Sequence, residues 1–491
     1  MSTFDYKKLK KEELEFIFQG MDFGLLPMWH QLVSISFASE HDRVNFFHGV
    51  GTGKTLTSLW SAQLWKSKKI LVVCPASAFS AWERDISKYT NYSFAFLTGN
   101  GRSRKSKLKK KKDIFIINYE GLKTIFCNLV KGKGWKINYK LFTHKFDCII
   151  LDEVHKCKSY KSLQSNICLQ LSKMAKNVIG LTGTAIDNSL LEVFNIYKVV
   201  DLGQTLGTSF FTYRMKYFKP SFYDWVIKPG AEKQILNRMT KSTLSFNREE
   251  CFDLPELQEI IKNVIPSEEF LKLQYDIVHG EDIVLNKTTI QLDTDNPTKD
   301  LTTKAHFLSE LTRGFIYYKN EEGEKRSYRL KKNPKIKTLI DILEDTSGKI
   351  IIFYHYTEEG NMIREELEKQ KYKFSSIQGG QKPEERTKQV KKFIEDESVK
   401  CAVVQQTAGA EGWDGSVANV VIFFSPVASP KTRKQCAGRI HRKGQKNSCL
   451  VIDLVLKHSI DGRTLKNRSE RFNFVQETMS YIQEFGGVEE I

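Results

Sequence analysis

The chain has 491 residues, enough for two to four domains and more than one buried core. Its formal net charge of +18 points to a polyanionic partner, most simply nucleic acid, with a basic but indifferent surface as the alternative that charge alone does not exclude. Nine scattered cysteines with no Cys-x-x-Cys pair speak against a disulfide framework or a zinc ribbon. The absence of any long apolar run predicts a soluble, intracellular protein with no membrane partner.

In chain order, residues 4–20 carry the pattern of a charged amphipathic helix. Gln31 follows, in Leu26-Pro27-Met28-Trp29-His30-Gln31. Ahead of a nucleotide-binding loop a glutamine can bond the edge of adenine, although a surface glutamine is common. The apolar run Val44 to Phe47 then feeds His48-Gly49-Val50-Gly51-Thr52-Gly53-Lys54-Thr55, and a helical stretch from Leu56 leaves it. This strand–loop–helix context makes a phosphate-binding loop, with His48 where the usual pattern has glycine. The backbone N–H groups of Gly51, Thr52 and Gly53 can turn towards a triphosphate. Lys54 reaches the β- and γ-phosphates, and the Thr55 hydroxyl takes a place on Mg²⁺. The helix N-terminus adds partial positive charge.

Lys69 to Pro75, Ile114 to Asn118, Cys148 to Leu151 and Asn177 to Leu181 read as buried parallel strands. The last two end in Asp152-Glu153-Val154-His155 and Thr182-Gly183-Thr184, at the strand edge where open α/β sheets bind ligands. Between the strands, residues 99–112 hold Arg102, Arg104, Lys105, Lys107 and Lys109 to Lys112. Such a run is either a solvated loop or a phosphate-contacting arm. The rhythm breaks after Asp201. Phe210 to Lys219 interleaves basic and aromatic residues, and reads more readily as a helical core stripe than as a stacking platform. Residues 280–303 are polar and turn-rich, and are expected to be flexible. A second α/β rhythm starts near Asn333, with strands at Lys349 to Phe353, Cys401 to Val404 and Asn419 to Phe424. The expected fold is therefore α/β: two doubly wound parallel-sheet lobes, residues 1–200 and 331–491, around a mainly helical insertion at 201–330.

ATP hydrolysis needs a Mg²⁺ anchor, an oriented water and neutralisation of the transferring phosphoryl group. Asp152 at a strand end can hold Mg²⁺, and Glu153 beside it can orient or deprotonate water. In the second half, Gln435, Arg439 and Arg442 recur at spacings of four and three, which on a helix is one face. Two guanidinium groups there suit a triphosphate held by another domain. A solvated basic helix accounts poorly for the glutamine and for Gly438.

Taken together, these segments resemble a superfamily 2 DExH-box ATPase, and within it the Swi/Snf family of double-stranded-DNA translocases. Cys74 to Arg84 is similar to that family's "CPxSLLxxWxxE", Asp152 to Lys158 to "DExHRxK", Leu181 to Asn188 to "LTGTPIQN" and Gln435 to Gln445 to "QxxDRxHRxGQ". The resemblance implies two RecA-like lobes with ATP and Mg²⁺ as cofactors and duplex DNA as partner, in a monomer. It implies that Gln31 contacts adenine and that Gly51, Gly53, Lys54 and Thr55 bind phosphates and Mg²⁺. Asp152 and Glu153 would serve metal and water, and Thr182 and Thr184 would couple nucleotide to DNA. Gly412 and Asp414 would lie at the nucleotide edge of the second lobe. Gln435, Arg439 and Arg442 would reach the γ-phosphate. Arg102, Arg104, Lys109 and Lys110 are the expected nucleic-acid contacts in the basic run. Ala185, Gly438 and Glu411-Gly412-Trp413-Asp414 depart from the family strings. With the lack of appended chromatin-reading domains, they favour a compact prokaryotic, phage or viral type, cytoplasmic in its host cell. A strand-separating DExH helicase on RNA or DNA, and a nucleotide-gated DNA clamp with little turnover, are the alternatives. A viral packaging motor would need an acidic metal cluster where the arginines stand.

Overall fold

A computed structural model of the chain describes residues 6–466, apart from 50, 131, 133, 184–188, 222–224, 280, 287, 291–296, 321, 410–412 and 443. Two compact units meet in sequence between Asp253 and Leu254. The first is built on seven strands: β1 (Arg43–Phe46), β2 (Ile70–Cys74), β3 (Phe94–Phe96), β4 (Ile114–Asn118), β5 (Cys148–Asp152), β6 (Asn177–Leu181) and β7 (Thr243–Leu244). They lie in the order β7-β1-β6-β5-β2-β4-β3, and every pairing is parallel. Strands of this kind are covered on both faces, which is why they are continuous aliphatic runs. Alternate side chains enter two separate cores. Leu71, Val73, Ile149 and Leu151 join Phe194 and Tyr197 on one side. Ile70, Val72, Cys148 and Ile150 join Leu59, Trp60, Trp82 and Ile86 on the other.

Among the described residues the main sheet of the second unit has six strands: β8 (Leu257–Val264), β9 (Lys349–Tyr354), β10 (Phe374–Ile377), β11 (Cys401–Gln405), β12 (Ala418–Phe423) and β13 (Cys449–Leu456). Their order is β8-β13-β12-β9-β11-β10, again all parallel. Ile350 and Ile352 face one core, and Ile351 and Phe353 the other.

Residues 201–330 are not a separate body. Those up to Asp253 complete the first unit, where β7 pairs with β1, and those from Leu254 belong to the second. Among its described residues the stretch holds helices and three short antiparallel hairpins, and its strand β8 was not expected. β8 is an edge strand in which only Val264 is buried, so it lacks the aliphatic run that marks its neighbours. Phe210–Tyr217 is a helix that buries Tyr213 and Tyr217. Within 280–303, expected to be flexible, the described residues form the hairpin Ile283–Leu285/Thr288–Ile290 and the start of the helix Pro297–Leu311. All nine cysteines are unpaired thiols. Among the described residues no helix is long and apolar enough to cross a membrane.

One ion pair closes the second unit. Lys335, in the first turn of the helix Pro334–Asp345, donates to Asp461 Oδ2 at 2.6 Å, and both side chains are buried. Asp461 also accepts the Leu456 N–H at the end of β13, so the pair ties the helix Pro334–Asp345 to the unit's last described segment. Lys335→Met leaves a buried carboxylate without its cation and should lower stability by about 3–5 kcal/mol. Adding Asp461→Leu should recover most of the loss. Chemical denaturation followed by circular dichroism, parent against variants, checks this. A single variant as stable as the parent would show the pair to be inert.

Candidate functional site

The site grows from β1. Beyond Phe46 the chain turns through Gly51 and Gly53, both at positive φ (85° and 78°), and Gly53 caps the helix Lys54–Leu64. A side chain at Gly53 would also strike the Gln31 amide. Three neighbours brace the loop. The His30 ring bonds the Thr52 carbonyl at 2.8 Å, the Thr52 hydroxyl donates to Gly49 O at 2.9 Å, and Gln31 Nε2 donates to Gly53 O at 3.4 Å. Thr52 can therefore offer a ligand its backbone N–H, while its hydroxyl is engaged within the loop. Gln31 also accepts the Met28 N–H at the start of the helix Trp29–Ser39, and its bond to Gly53 O sets it against the loop. Lys54 Nζ donates to the carbonyls of His48 and Gly49, each at 2.9 Å. Burial lowers its pKa, and the charges of Glu153 and Asp152 act against that.

His48, the departure from glycine, does not face the loop's ligand side. It is buried between Phe46 and Phe246 and bonded to Ser34 Oγ at 2.9 Å. Burial first, then the charges of His30, Lys54 and Lys7, hold its pKa well below the usual value, so it stays neutral beside Lys54.

The register of β1, β6 and β5 sets the acidic residues beside the loop. Phe46 pairs with Leu181 and Leu181 with Asp152, so the three strands end level. Asp152 points to the same face as Trp82 and receives the Trp82 indole N–H at Oδ2, 3.0 Å away. Burial and the adjacent Glu153 push the Asp152 carboxyl up to about 6, opposed by Trp82, Lys54 and the Glu153 backbone N–H. Trp82 engages Oδ2, and the charge of Asp152 acts on Lys54; a carboxylate oxygen not engaged by Trp82 is a fitting donor for a hard divalent cation. Glu153 adopts the left-handed region (φ 53°), at a cost of about 1–2 kcal/mol for a residue with a Cβ. That turn aims its carboxylate at His155 Nδ1, 3.1 Å away, and Thr182 Oγ1, 3.4 Å away. His155 and Thr182 are themselves 3.2 Å apart. Thr184 lies outside the described residues.

The seventh strand brings a residue that the sequence reading missed. Gly49 N–H bonds Phe246 O, and the Arg248 backbone packs on Gly49, where a Cβ would lie 3.1 Å from the Arg248 nitrogen. The Arg248 side chain is buried, and its charge acts on Lys54. No motif marked it, because it is adjacent to the loop only through the β7–β1 pairing.

The basic run is a helix, Gly101–Leu108, capped by Asn100. Its cations divide by face. Arg104 bonds Gly99 O at 2.8 Å and Asn118 Oδ1 at 3.1 Å, and its guanidinium lies over Gly121, where a side chain would displace it. Lys107 bonds Thr98. Arg102, Lys105 and Lys109 line an open cleft of about 510 Å³ with Ser106 and Thr124. Lys110 follows just beyond the helix.

In the second unit the helix Pro430–Ala437 stops at Gly438, so Gln435, Arg439 and Arg442 do not share one helical face as their spacing suggested. Arg439 and Arg442 sit in the turn beyond it. There both converge: Arg439 donates to Trp413 O at 3.1 Å and Arg442 at 3.2 Å. Asp414 Oδ1 lies 3.8 Å from Arg442 and accepts the Ser416 N–H. Gly412 lies outside the described residues.

The SNF2-related domain model matches residues 31–288, more than half of the chain, and the helicase conserved C-terminal domain model matches 334–444. The chain is 25% identical over 432 residues to the DNA repair and recombination protein RDH54 of Saccharomyces cerevisiae (strain JAY291), covering 82% of this chain and 45% of that protein. It is 24% identical over 444 residues to the Caenorhabditis elegans homologue of SWI/SNF-related matrix-associated actin-dependent regulator of chromatin subfamily A-like protein 1, covering 88% and 59%. It thus spans about half the length of these relatives. The solved Sulfolobus solfataricus SWI2/SNF2 ATPase core in complex with dsDNA superposes with a TM-score of 0.44 at 20% identity, covering 96% of this chain and 98% of that one. By the match over residues 31–288, the chain belongs to the SNF2-related family.

Proposed function

We propose that the chain hydrolyses ATP with Mg²⁺ and uses the cycle to move along duplex DNA, without necessarily separating the strands. The observation that carries this is the levelling of three strand ends, which gathers Lys54, Asp152, Glu153 and Thr182 at one sheet edge in a family of ATPase-type domains. Lys54 and the loop N–H groups hold the phosphates. Asp152, with Thr55, holds the cation, which supplies charge neutralisation at the phosphoryl oxygens. Glu153 orients the attacking water, and its contact with Thr182 passes the state of the site to the next strand end. Gln31 reads adenine. Arg439 and Arg442 stabilise charge on the transferring phosphoryl group and Gln435 reaches the γ-phosphate with them, while Gly412 and Asp414 serve the edge of the nucleotide. Duplex DNA as substrate is supported by the charge of +18 and by relatives named for DNA repair and recombination. The phosphate backbone meets Arg102, Lys105, Lys109 and Lys110, on the open side of the basic helix, while Arg104 serves the fold. Thr184 joins Thr182 in coupling. The compact prokaryotic, phage or viral type rests on the departures at Ala185, Gly438 and Trp413.

Glu153→Gln should retain ATP binding and lose nearly all turnover, while Lys54→Ala should lose tight nucleotide binding as well. Near-normal hydrolysis by the first variant would remove Glu153 from the mechanism. Arg439→Ala and Arg442→Ala should each cut kcat by ~10³–10⁵ with a much smaller change in the affinity of a non-hydrolysable ATP analogue. If kcat stays within about twofold, under roughly 0.5 kcal/mol of barrier, the arginines lie outside the chemistry.

Steady-state hydrolysis with no nucleic acid, single-stranded DNA, duplex DNA and duplex RNA tests the substrate. Duplex DNA should stimulate most, and added salt should weaken it steeply through counterion release. Stimulation by RNA alone would favour the helicase reading. Replacing Arg102, Lys105 and Lys109 with serine should weaken DNA binding for every sequence and flatten the salt slope by roughly one unit for each phosphate no longer neutralised. DNA-free hydrolysis should be unchanged. An unaltered slope would leave that face merely solvated.

A further inference from the structure

Asp152, the residue assigned to the metal, is held from two sides by aromatic side chains. Trp82 lies in the helix Phe79–Tyr89, which begins after Pro75 stops β2. Trp82, Asp85 and Ile86 form that helix's buried face. β2 lies next to β5, and Asp152 at the end of β5 points to the face on which this helix packs, so the indole meets the carboxylate edge-on. From β4, on the far side of β2, Tyr119 follows its strand and donates its hydroxyl to the Asp152 carbonyl at 2.9 Å. Trp82 and Tyr119 are each 1% exposed. Asp152 is thereby fixed in its side chain by one donor and in its main chain by another, just before the left-handed turn at Glu153.

We propose that Trp82 is a positioning residue for the divalent cation: its indole N–H fixes the Asp152 carboxylate so that Oδ1 stays turned to the cation site beside Thr55. The inference rests on the assignment of Asp152 as metal carboxylate.

The chemistry of the indole suits this task. It is a donor only, never an acceptor, so the bond has one polarity and one partner type. It carries no charge, so it orders the carboxylate without cancelling the negative charge that attracts a cation. A lysine or arginine in its place would form an ion pair and compete with the metal. A hydroxyl or amide could rotate and present an acceptor instead. Partners that orient a ligating group in this way typically change metal affinity about 10–100-fold when removed. A buried indole N–H needs some acceptor in any case. What distinguishes a positioning role from mere satisfaction is whether the loss of the N–H is felt by the cation or only by the fold.

The test compares nucleotide dissociation constants in Mg²⁺ and in EDTA, by calorimetry with a non-hydrolysable ATP analogue, on the full chain. Trp82→Phe keeps the ring and removes the donor. It should leave the EDTA affinity within about twofold and lose about 10-fold or more of the gain that Mg²⁺ confers. Trp82→His puts a ring nitrogen at the same place in a five-membered ring, and should restore most of that gain. Asp152→Asn is the control for the assignment beneath it, and should abolish the Mg²⁺-dependent gain. If Asp152→Asn loses the gain while folded Trp82→Phe keeps it, the inference fails and the metal assignment stands. If Asp152→Asn keeps it too, the metal assignment itself is wrong. Equal weakening of both affinities in Trp82→Phe, unrescued by histidine, would mean that the indole only supports packing, and would also overturn the proposal. Should Trp82→Phe not fold, Trp82→His alone decides: a gain reduced about 10-fold or more in a folded protein that keeps a ring N–H refutes the role.

Discussion

The site depends on strand register more than on any one side chain. Parallel strands point their carboxyl ends to the same edge, and the pairing of Phe46 with Leu181 and of Leu181 with Asp152 makes three of those ends level. Neighbouring strands lie about 4.8 Å apart, so residues that follow level ends fall within hydrogen-bond reach. That is how Thr182 meets Glu153, 29 positions earlier in the chain, and how Lys54 feels both carboxylates. The register is enforced because the sheet is buried on both faces. A slip of one residue would move Ile149 and Leu151 out of one core and Cys148 and Ile150 out of the other, and would turn Asp152 away from Trp82.

The electrostatics follow from the same packing. Lys54, Asp152 and Glu153 are partly withdrawn from water, and there each charge is tolerable mainly because of the others. Lys54 rests on two loop carbonyls. Phosphate oxygens could replace those acceptors, so under the proposed function nucleotide binding would exchange one set of hydrogen bonds for a stronger, charge-assisted set. His48 shows the same constraint from the other side. A charged imidazole beside Lys54 would add like charge to the loop, and its burial against Phe46 and Phe246 keeps it neutral. A histidine is tolerated where glycine is usual because its ring leaves the ligand side of the loop altogether.

The central strands are legible in the sequence, because strands covered on both faces must be aliphatic runs. Ile70 to Cys74 and Lys349 to Phe353 announce themselves in this way. β8 does not, since it is an exposed edge whose pairing with β13 is fixed by contacts far along the chain. The glycine turn before the helix Lys54–Leu64 and the strand end at Asp152 are legible because glycines between an aliphatic run and a helix, and an acidic pair after an aliphatic run, are local patterns. Arg248 is not, because nothing local marks it and only the β7–β1 pairing brings it to Gly49. The basic run is legible as charge but not as structure: the Asn100 cap and the turning of Arg104 and Lys107 towards the protein divide it into a structural face and an open one.

The arginines of the second unit show how a spacing can suggest a geometry that the fold does not use. Their recurrence suggests one face of a helix, yet the helix ends at Ala437 and the chain turns at Gly438. What unites Arg439 and Arg442 is the Trp413 carbonyl, which both reach, and the backbone bond from Gly415 N–H to Arg439 O that holds the two segments together. Gln445 adds a second tie, donating to Ser416 O and Ala418 O. Two guanidinium groups directed at one carbonyl repel each other, and Asp414 offsets Arg442 only from 3.8 Å, with its own side chain more than half exposed. The pair is therefore held together by backbone ties to the segment 413–418 rather than by helical spacing, which is why its convergence is not legible in the sequence.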